Sequence, residues 1–172
     1  MDEGRSSPLA FACFGTHTWP SERQPLVDMI DRDRAKFGWV GRDCNNGLVR
    51  YHRNMLDAAV SICPRGHGLD TLRAWETLYL GRVVVTRSCL MDPVWEGLPV
   101  IKLGSWEELS LERITEELVS MAKPENLAKT RAATPKIFIP YWACEIGKAA
   151  NRAAEFCSEK ALLTAYTRGD GE

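Results

Sequence analysis

The chain has 172 residues, of which 45% are hydrophobic and 26% are charged, so it is long enough and apolar enough to bury one globular core. Its 22 basic and 23 acidic residues give a formal net charge of -1, which argues against binding nucleic acid or an anionic membrane through overall charge. No apolar run approaches the roughly 18 residues of a membrane-spanning helix, and the polar, acidic N-terminus is not typical of a signal peptide.

Short apolar runs alternate with amphipathic stretches along the chain. The pattern predicts strands at 8–15, 59–63, 82–87 and 98–104, and helices at 24–38, 48–59, 71–80 and 105–122. This alternation indicates an α/β, doubly wound domain with a mostly parallel, Rossmann-like sheet. We predict a disordered tail at 1–8, the domain at 9–150, and a C-terminal helix with a frayed end at 151–172.

Two polar loops, 16–23 and 64–70, each follow a predicted strand and precede a predicted helix. In doubly wound domains ligands bind at the carboxyl ends of the strands, which is where both loops would lie. In the second loop Gly66 and Gly68 allow backbone conformations that residues with a side chain rarely adopt, and they let a ligand approach the main chain closely. Asp70 is the predicted N-cap of the helix that follows.

The side chains around this turn favour binding of a nucleotide diphosphate. Arg65 precedes the turn and Arg73 lies in the first helical turn, and both can donate forked hydrogen bonds to phosphate oxygens. The helix N-terminus adds unpaired N–H groups. The carboxylate of Glu76, three residues after Arg73, can accept the two hydroxyl hydrogens of a ribose.

Simpler interpretations of the same residues remain open. Arg73 and Glu76 can form a surface ion pair at i,i+3 spacing, and His67 can be an exposed loop residue. The dinucleotide fingerprint G-x-G-x-x-G is not met because Thr71 stands where its third glycine belongs, and no G-x-x-x-x-G-K-[ST] phosphate loop is present.

A longer motif surrounds the turn. "CPRGHGLDTLRAWETLYLGRVVVTRS" followed by "DPVWEGLPVIKLGSWEEL" resembles the signature region of exostosin-like glycosyltransferases, family 47 and its relatives. "FGTHTWPSER" upstream and "IFIPYWACEI" downstream resemble the family more weakly, so the similarity covers about residues 9–146. The chain departs from the family pattern at Leu72, where histidine is frequent, at His67, and at "RVVV".

The resemblance implies the C-terminal, donor-binding half of a GT-B glycosyltransferase, which transfers a sugar from a UDP-sugar to a glycan or glycoprotein acceptor. Arg65 and Arg73 would then neutralise the diphosphate, Arg23 would reach it from the first loop, and Glu76 would hold the ribose. The complete implied set for the nucleotide sugar is Arg23, Arg65, Gly66, His67, Gly68, Asp70, Arg73 and Glu76. The resemblance identifies no catalytic residue in this chain.

The family also sets expectations for partners and location. Residues 1–8 hold no counterpart of the family's N-terminal domain, so we expect the chain to need such a domain for transfer. The family usually works in the Golgi, at the membrane or in the lumen. Two rival hypotheses are a non-catalytic nucleotide-binding or interaction module, and a different nucleotide enzyme such as an oxidoreductase.

Two further patterns predict no metal and no cofactor beyond the donor substrate. Asp31-Arg32-Asp33 matches a D-x-D metal motif, but its place in a charged helical stretch favours a solvated helix face. The six cysteines form no C-x-x-C pair, and we interpret them as buried free thiols.

Overall fold

The computed structural model describes residues 9–32, 47–151 and 157 of the chain. It divides into two compact units, Met1–Thr130 and Arg131–Glu172. The strands are β1 (Ala10–Phe11), β2 (Val60–Ile62), β3 (Val83–Arg87) and β4 (Val100–Leu103). The α-helices are α1 (Pro20–Arg32), α2 (Leu48–Asp57), α3 (Leu72–Tyr79), α4 (Asp92–Trp95), α5 (Leu111–Met121), α6 (Pro124–Ala133) and α7 (Ile139–Ala149), with 3-10 helices at Trp106–Glu108 and Thr134–Ile137.

The four strands form one sheet in the order β1-β2-β3-β4, and every neighbouring pair is parallel. Val60 is the register partner of Ala10 on one side and of Val83 on the other. Parallel neighbours must be joined by crossover connections, which here contain helices. The predicted α/β fold with a parallel sheet is therefore confirmed.

Helices cover both faces of this sheet. Successive strand residues point to opposite faces, so Ala10 and Ala12 join a large core while Phe11 joins a smaller one. Helix α1 adds Leu26 and Ile30 to the large core. The small core contains Met55 of α2. The arrangement is Rossmann-like, and the carboxyl ends of the strands carry the two polar loops.

The first helix begins earlier than predicted. The sequence indicated a loop over 16–23, but α1 starts at Pro20 because the Trp19 carbonyl accepts the N–H groups of Glu22 and Arg23 at 3.2 and 3.1 Å. Proline is favoured at the first helical position, where its missing N–H costs nothing. Glu22 and Arg23 are therefore helical residues. The predicted end of this helix at Gly38 lies outside the described residues.

The predicted helix at 105–122 is two elements. A 3-10 turn at Trp106–Glu108 ends before Ser110, whose hydroxyl accepts the Arg113 N–H at 3.0 Å and so caps α5. Ser110, in the middle of the predicted helix, is thus the N-cap of a new one. Asp92–Trp95, between β3 and β4, form the short helix α4.

The cysteines do not all follow the prediction. Cys144 and Cys157 form a disulfide in the C-terminal unit, and Cys13 is disulfide-bonded as well. The interpretation as free thiols is wrong for these three and confirmed for Cys63 and Cys89, of which only Cys63 is fully buried. None of the described helices has the length and apolar character that crossing a membrane requires.

Candidate functional site

Arg23 ties together the two loops at the carboxyl ends of β1 and β2. Its Nε donates to the Arg65 carbonyl at 2.8 Å, its Nη1 to the Gly15 carbonyl at 2.9 Å, and its Nη2 to the Pro64 carbonyl at 3.4 Å. The side chain is 7% exposed. Burial, and next the neighbouring charge of Arg73, lower the pKa of Arg23. Arg23 was expected to reach the phosphates, but these three hydrogen bonds are donated to main-chain carbonyls.

Gly66 is needed because Arg23 passes close by. A Cβ on Gly66 would lie 3.2 Å from Arg23 Nη2 and 3.7 Å from Thr71 Cγ2. Neither Gly66 nor Gly68 lies in the left-handed region, so neither uses the backbone freedom that glycine allows there. The turn is closed by the Gly66 N–H, which donates to the Gly68 carbonyl at 3.1 Å.

Asp70 does not cap helix α3. The N-cap is Thr71, and no side-chain capping hydrogen bond is formed at this end of the helix within the described part of the chain. The Asp70 carboxylate instead accepts the Trp75 Nε1–H at 2.9 Å, because the loop carries it toward the side of the helix. The predicted cap is therefore wrong, and the helix N-terminus keeps N–H groups available to an anion.

Arg73 and Glu76 line one hollow of about 540 Å³, which we call the Arg73 hollow. The Nε of Arg73 is buried and has no hydrogen-bond partner among the residues that the structure describes. Glu76 pairs with His52 at 3.6 Å rather than with Arg73, so the surface ion pair expected from i,i+3 spacing is not formed in the described part of the chain. The other lining residues are Arg23, Gly47, Leu48, Tyr51, Thr71 and Leu72.

Tyr51 holds Glu76 in place. The Tyr51 hydroxyl donates to Glu76 Oε2 at 3.1 Å, and its ring packs edge-on against Phe11 with centroids 5.4 Å apart. Burial is the largest cause that raises the pKa of Tyr51, and the Glu76 carboxylate adds to it, so this group remains a hydrogen-bond donor at neutral pH. The sequence placed Tyr51 on the stripe of a predicted helix but showed no link to Glu76, which is 25 residues away.

Arg65 lies apart from the Arg73 hollow. Its guanidinium stacks on the Trp19 ring with the Cζ atom 3.9 Å from the centroid, and its Nε is buried without a hydrogen-bond partner. It lines a separate space of about 100 Å³. His67 is exposed at the turn. The structure thus brings Arg23, Arg73 and Glu76 together and puts Arg65 on a neighbouring hollow.

The chemistry of the Arg73 hollow suits an anion that also carries hydroxyl groups. Two guanidinium groups and one carboxylate give its lining an excess of positive charge. Like charges in proximity are unfavourable until an anion separates them. Over 9–32, 47–151 and 157, no group of three or more His, Cys, Asp or Glu is placed to hold a metal ion.

In comparisons with models of protein families and with curated proteins, the chain matched none of them.

Proposed function

We propose that the chain is the nucleotide-sugar-binding domain of an exostosin-like glycosyltransferase, and that a UDP-sugar binds in the Arg73 hollow. The motif from Cys63 to Trp106 supports the family. The hollow opens at the carboxyl ends of parallel strands, where Rossmann-like domains bind nucleotides.

The observation that carries the proposal is the buried, unpartnered Nε of Arg73. A buried donor on a charged group that lacks an acceptor is unfavourable. The second arginine, Arg23, cannot relieve this, because a guanidinium group has no hydrogen-bond acceptor to offer. A diphosphate would accept from Arg73 and from the uncapped N–H groups of α3.

Glu76 supplies the second half of the recognition. Its Oε2 accepts from Tyr51 and its Oε1 faces His52, which orients the carboxylate and leaves lone pairs for further donors. Ribose hydroxyls are suitable donors. Because Glu76 and Arg73 lie one helical turn apart on α3, one nucleotide can reach both.

In the reaction, cationic groups would stabilise the departing diphosphate while an acceptor hydroxyl attacks the anomeric carbon. The general base is expected from a second domain, as the family resemblance implies. The disulfide between Cys144 and Cys157 supports an oxidising compartment, in keeping with the family's usual place in the Golgi.

Calorimetric titration of UDP and UDP-sugars into the wild-type chain and Arg73→Ala tests the proposal. We expect saturable binding that the substitution weakens by about 1.5–3 kcal/mol, the range for a hydrogen bond to a charged group. Arg113→Ala is the matched control, since that arginine forms only an exposed ion pair with Glu117.

Two outcomes would contradict the proposal: no binding of any UDP compound, or equal affinity in wild type and Arg73→Ala. Arg65→Ala defines how far the ligand extends. A loss of affinity there means that the phosphates also reach the Trp19 stack, and unchanged affinity confines them to the Arg73 hollow.

A further inference from the structure

A second hollow of about 490 Å³ lies on the other side of the first turn of α1, and we call it the Glu22 hollow. It is lined by residues of α1, the end of β3 and the 3-10 turn after β4. Its volume falls in the range of small-ligand sites, roughly 300–1,000 Å³. The residues that matter here are Trp19, Glu22, Arg32, Arg87, Trp106 and Glu107.

Glu22 is a buried and oriented carboxylate in this hollow. Its side chain is 9% exposed. One oxygen accepts the Trp106 Nε1–H at 2.9 Å, and the other accepts from Arg87 Nη1 at 3.1 Å. A carboxylate has about four lone-pair sites, so each Glu22 oxygen keeps one for a further donor.

The charges in the Glu22 hollow balance. Two carboxylates, Glu22 and Glu107, face two guanidinium groups, Arg32 and Arg87. The Arg73 hollow, by contrast, has two arginines and one glutamate. The balanced lining therefore favours a ligand that is neutral as a whole and that donates and accepts many hydrogen bonds.

Trp19 adds a rigid aromatic surface. Its φ of 56° is unusual for a residue with a side chain, and the conformation is held by the N–H groups that its carbonyl accepts. Arg65 covers one face of the ring, yet the residue is 44% exposed. An aromatic ring fixed beside a carboxylate can stack on the C–H face of a sugar whose hydroxyls bond the carboxylate.

We propose that the Glu22 hollow is a carbohydrate site that binds a neutral sugar unit through Glu22 and Trp19. Its affinity for sugars does not rest on the function proposed above. The two hollows are lined by consecutive residues of α1, Arg23 and Glu22, so a nucleotide and a sugar would bind close to each other.

Saturation-transfer NMR on the 172-residue chain tests this inference, with glucose, galactose, xylose, N-acetylglucosamine, lactose and cellobiose as probes, without nucleotide. We expect saturable binding of at least one sugar. Glu22→Gln should weaken it about tenfold, the lower end for a charged hydrogen bond. Trp19→Ala should weaken it about three- to tenfold through lost stacking.

Controls separate binding from folding and from the nucleotide site. Glu112→Gln, an exposed carboxylate on α5, should bind sugars as the wild type does. Arg73→Ala should also keep sugar binding, and Glu22→Gln should keep UDP binding. Thermal unfolding of each variant shows whether it is folded.

No saturable binding of any of the six sugars would overturn the inference, and so would equal sugar affinity in wild type and folded Glu22→Gln. In either case Glu22, Arg87 and Trp106 only hold α1 against the sheet. Sugar binding without UDP binding would instead keep the carbohydrate site and refute the proposed function.

Discussion

The two hollows begin at neighbouring residues of one helix and differ in how their charges are satisfied. Arg23 faces the Arg73 hollow and Glu22 faces the Glu22 hollow. In the Glu22 hollow the buried carboxylate already has a donor on each oxygen. In the Arg73 hollow the buried Nε of Arg73 has none. The charges of the Glu22 hollow are balanced, so it can bind a neutral ligand, whereas the Arg73 hollow has an excess of positive charge.

The two arginines of the Arg73 hollow show the same contrast at closer range. Arg23 donates to three carbonyl groups and joins two loops. Arg73 lies in the first turn of α3 and leaves its Nε free. Arg23 uses three of its five N–H donors to hold the two loops, whereas the buried Nε of Arg73 has no partner among the described residues and can donate to a ligand.

Replacement of Arg23 should have the largest effect. Arg23→Ala is expected to lower the free energy of unfolding by about 3–4 kcal/mol, because several hydrogen bonds to a charged group are lost and buried carbonyls are left unpaired. Urea denaturation measures it. Arg73→Gln should change the same free energy by only about 0.5 kcal/mol, since the Nε of Arg73 has no hydrogen-bond partner among the described residues. Equal destabilisation by both substitutions would remove the distinction between them.

The two free thiols, Cys63 and Cys89, differ in how far they are buried, and their labelling rates should differ accordingly. Burial raises the pKa of Cys63, at the end of β2, to about 11, so at pH 8 only about one thiol in a thousand is ionised. Cys89 lines the small space beside Arg65 and Glu22. Labelling with a thiol reagent at pH 8 should modify Cys89 about a hundredfold faster or more than Cys63, because the thiolate is the reactive form and Cys63 is also shielded.

The same labelling in denaturant is the control, where both thiols should react alike. Raising the pH toward 11 should increase the labelling of Cys63 while the protein remains folded. Similar rates for the two thiols at pH 8 in the folded protein would mean that Cys63 is not shielded from the reagent.

A smaller effect is expected at Tyr51. Tyr51→Phe removes the donor that orients Glu76 and should weaken UDP binding by about 0.5–1.5 kcal/mol, less than the loss of a direct charged hydrogen bond to the ligand, because the effect on UDP is indirect. Pyrophosphate should bind both proteins equally, because it has no ribose for Glu76 to contact. Calorimetry with the two ligands makes the comparison. An equal loss for UDP and pyrophosphate would place Glu76 near the phosphates.

The fold was predictable from local patterns, whereas the roles of several site residues were not. Apolar runs such as Val83–Val85 predict buried parallel strands because they pack on both faces. The start of α1 at Pro20 was signalled by the proline itself. The bonds of Arg23 reach carbonyls up to 42 residues away, and periodicity carries no information about such contacts.

Asp70 shows that the position of a residue before a helix does not by itself establish a capping role. An aspartate just before a helix predicts a cap, but the indole of Trp75 five residues later takes its carboxylate instead. The pairing of Cys144 with Cys157 was equally hidden, because spacing does not identify disulfide partners in a chain of this length.

The partners of the first turn of α1 come late in the chain. Arg23 donates to the carbonyls of Pro64 and Arg65. Glu22 accepts from Arg87 and Trp106, which follow it by 65 and 84 residues. During synthesis, Arg23 can therefore form its hydrogen bonds only after the loop that follows β2 has been made. Glu22 can do so only after β3, for Arg87, and after β4, for Trp106. A nascent chain arrested short of Trp106 would leave Glu22 without one of its two hydrogen-bond donors and the Glu22 hollow without part of its lining, so that hollow forms only after Glu107 has been synthesised.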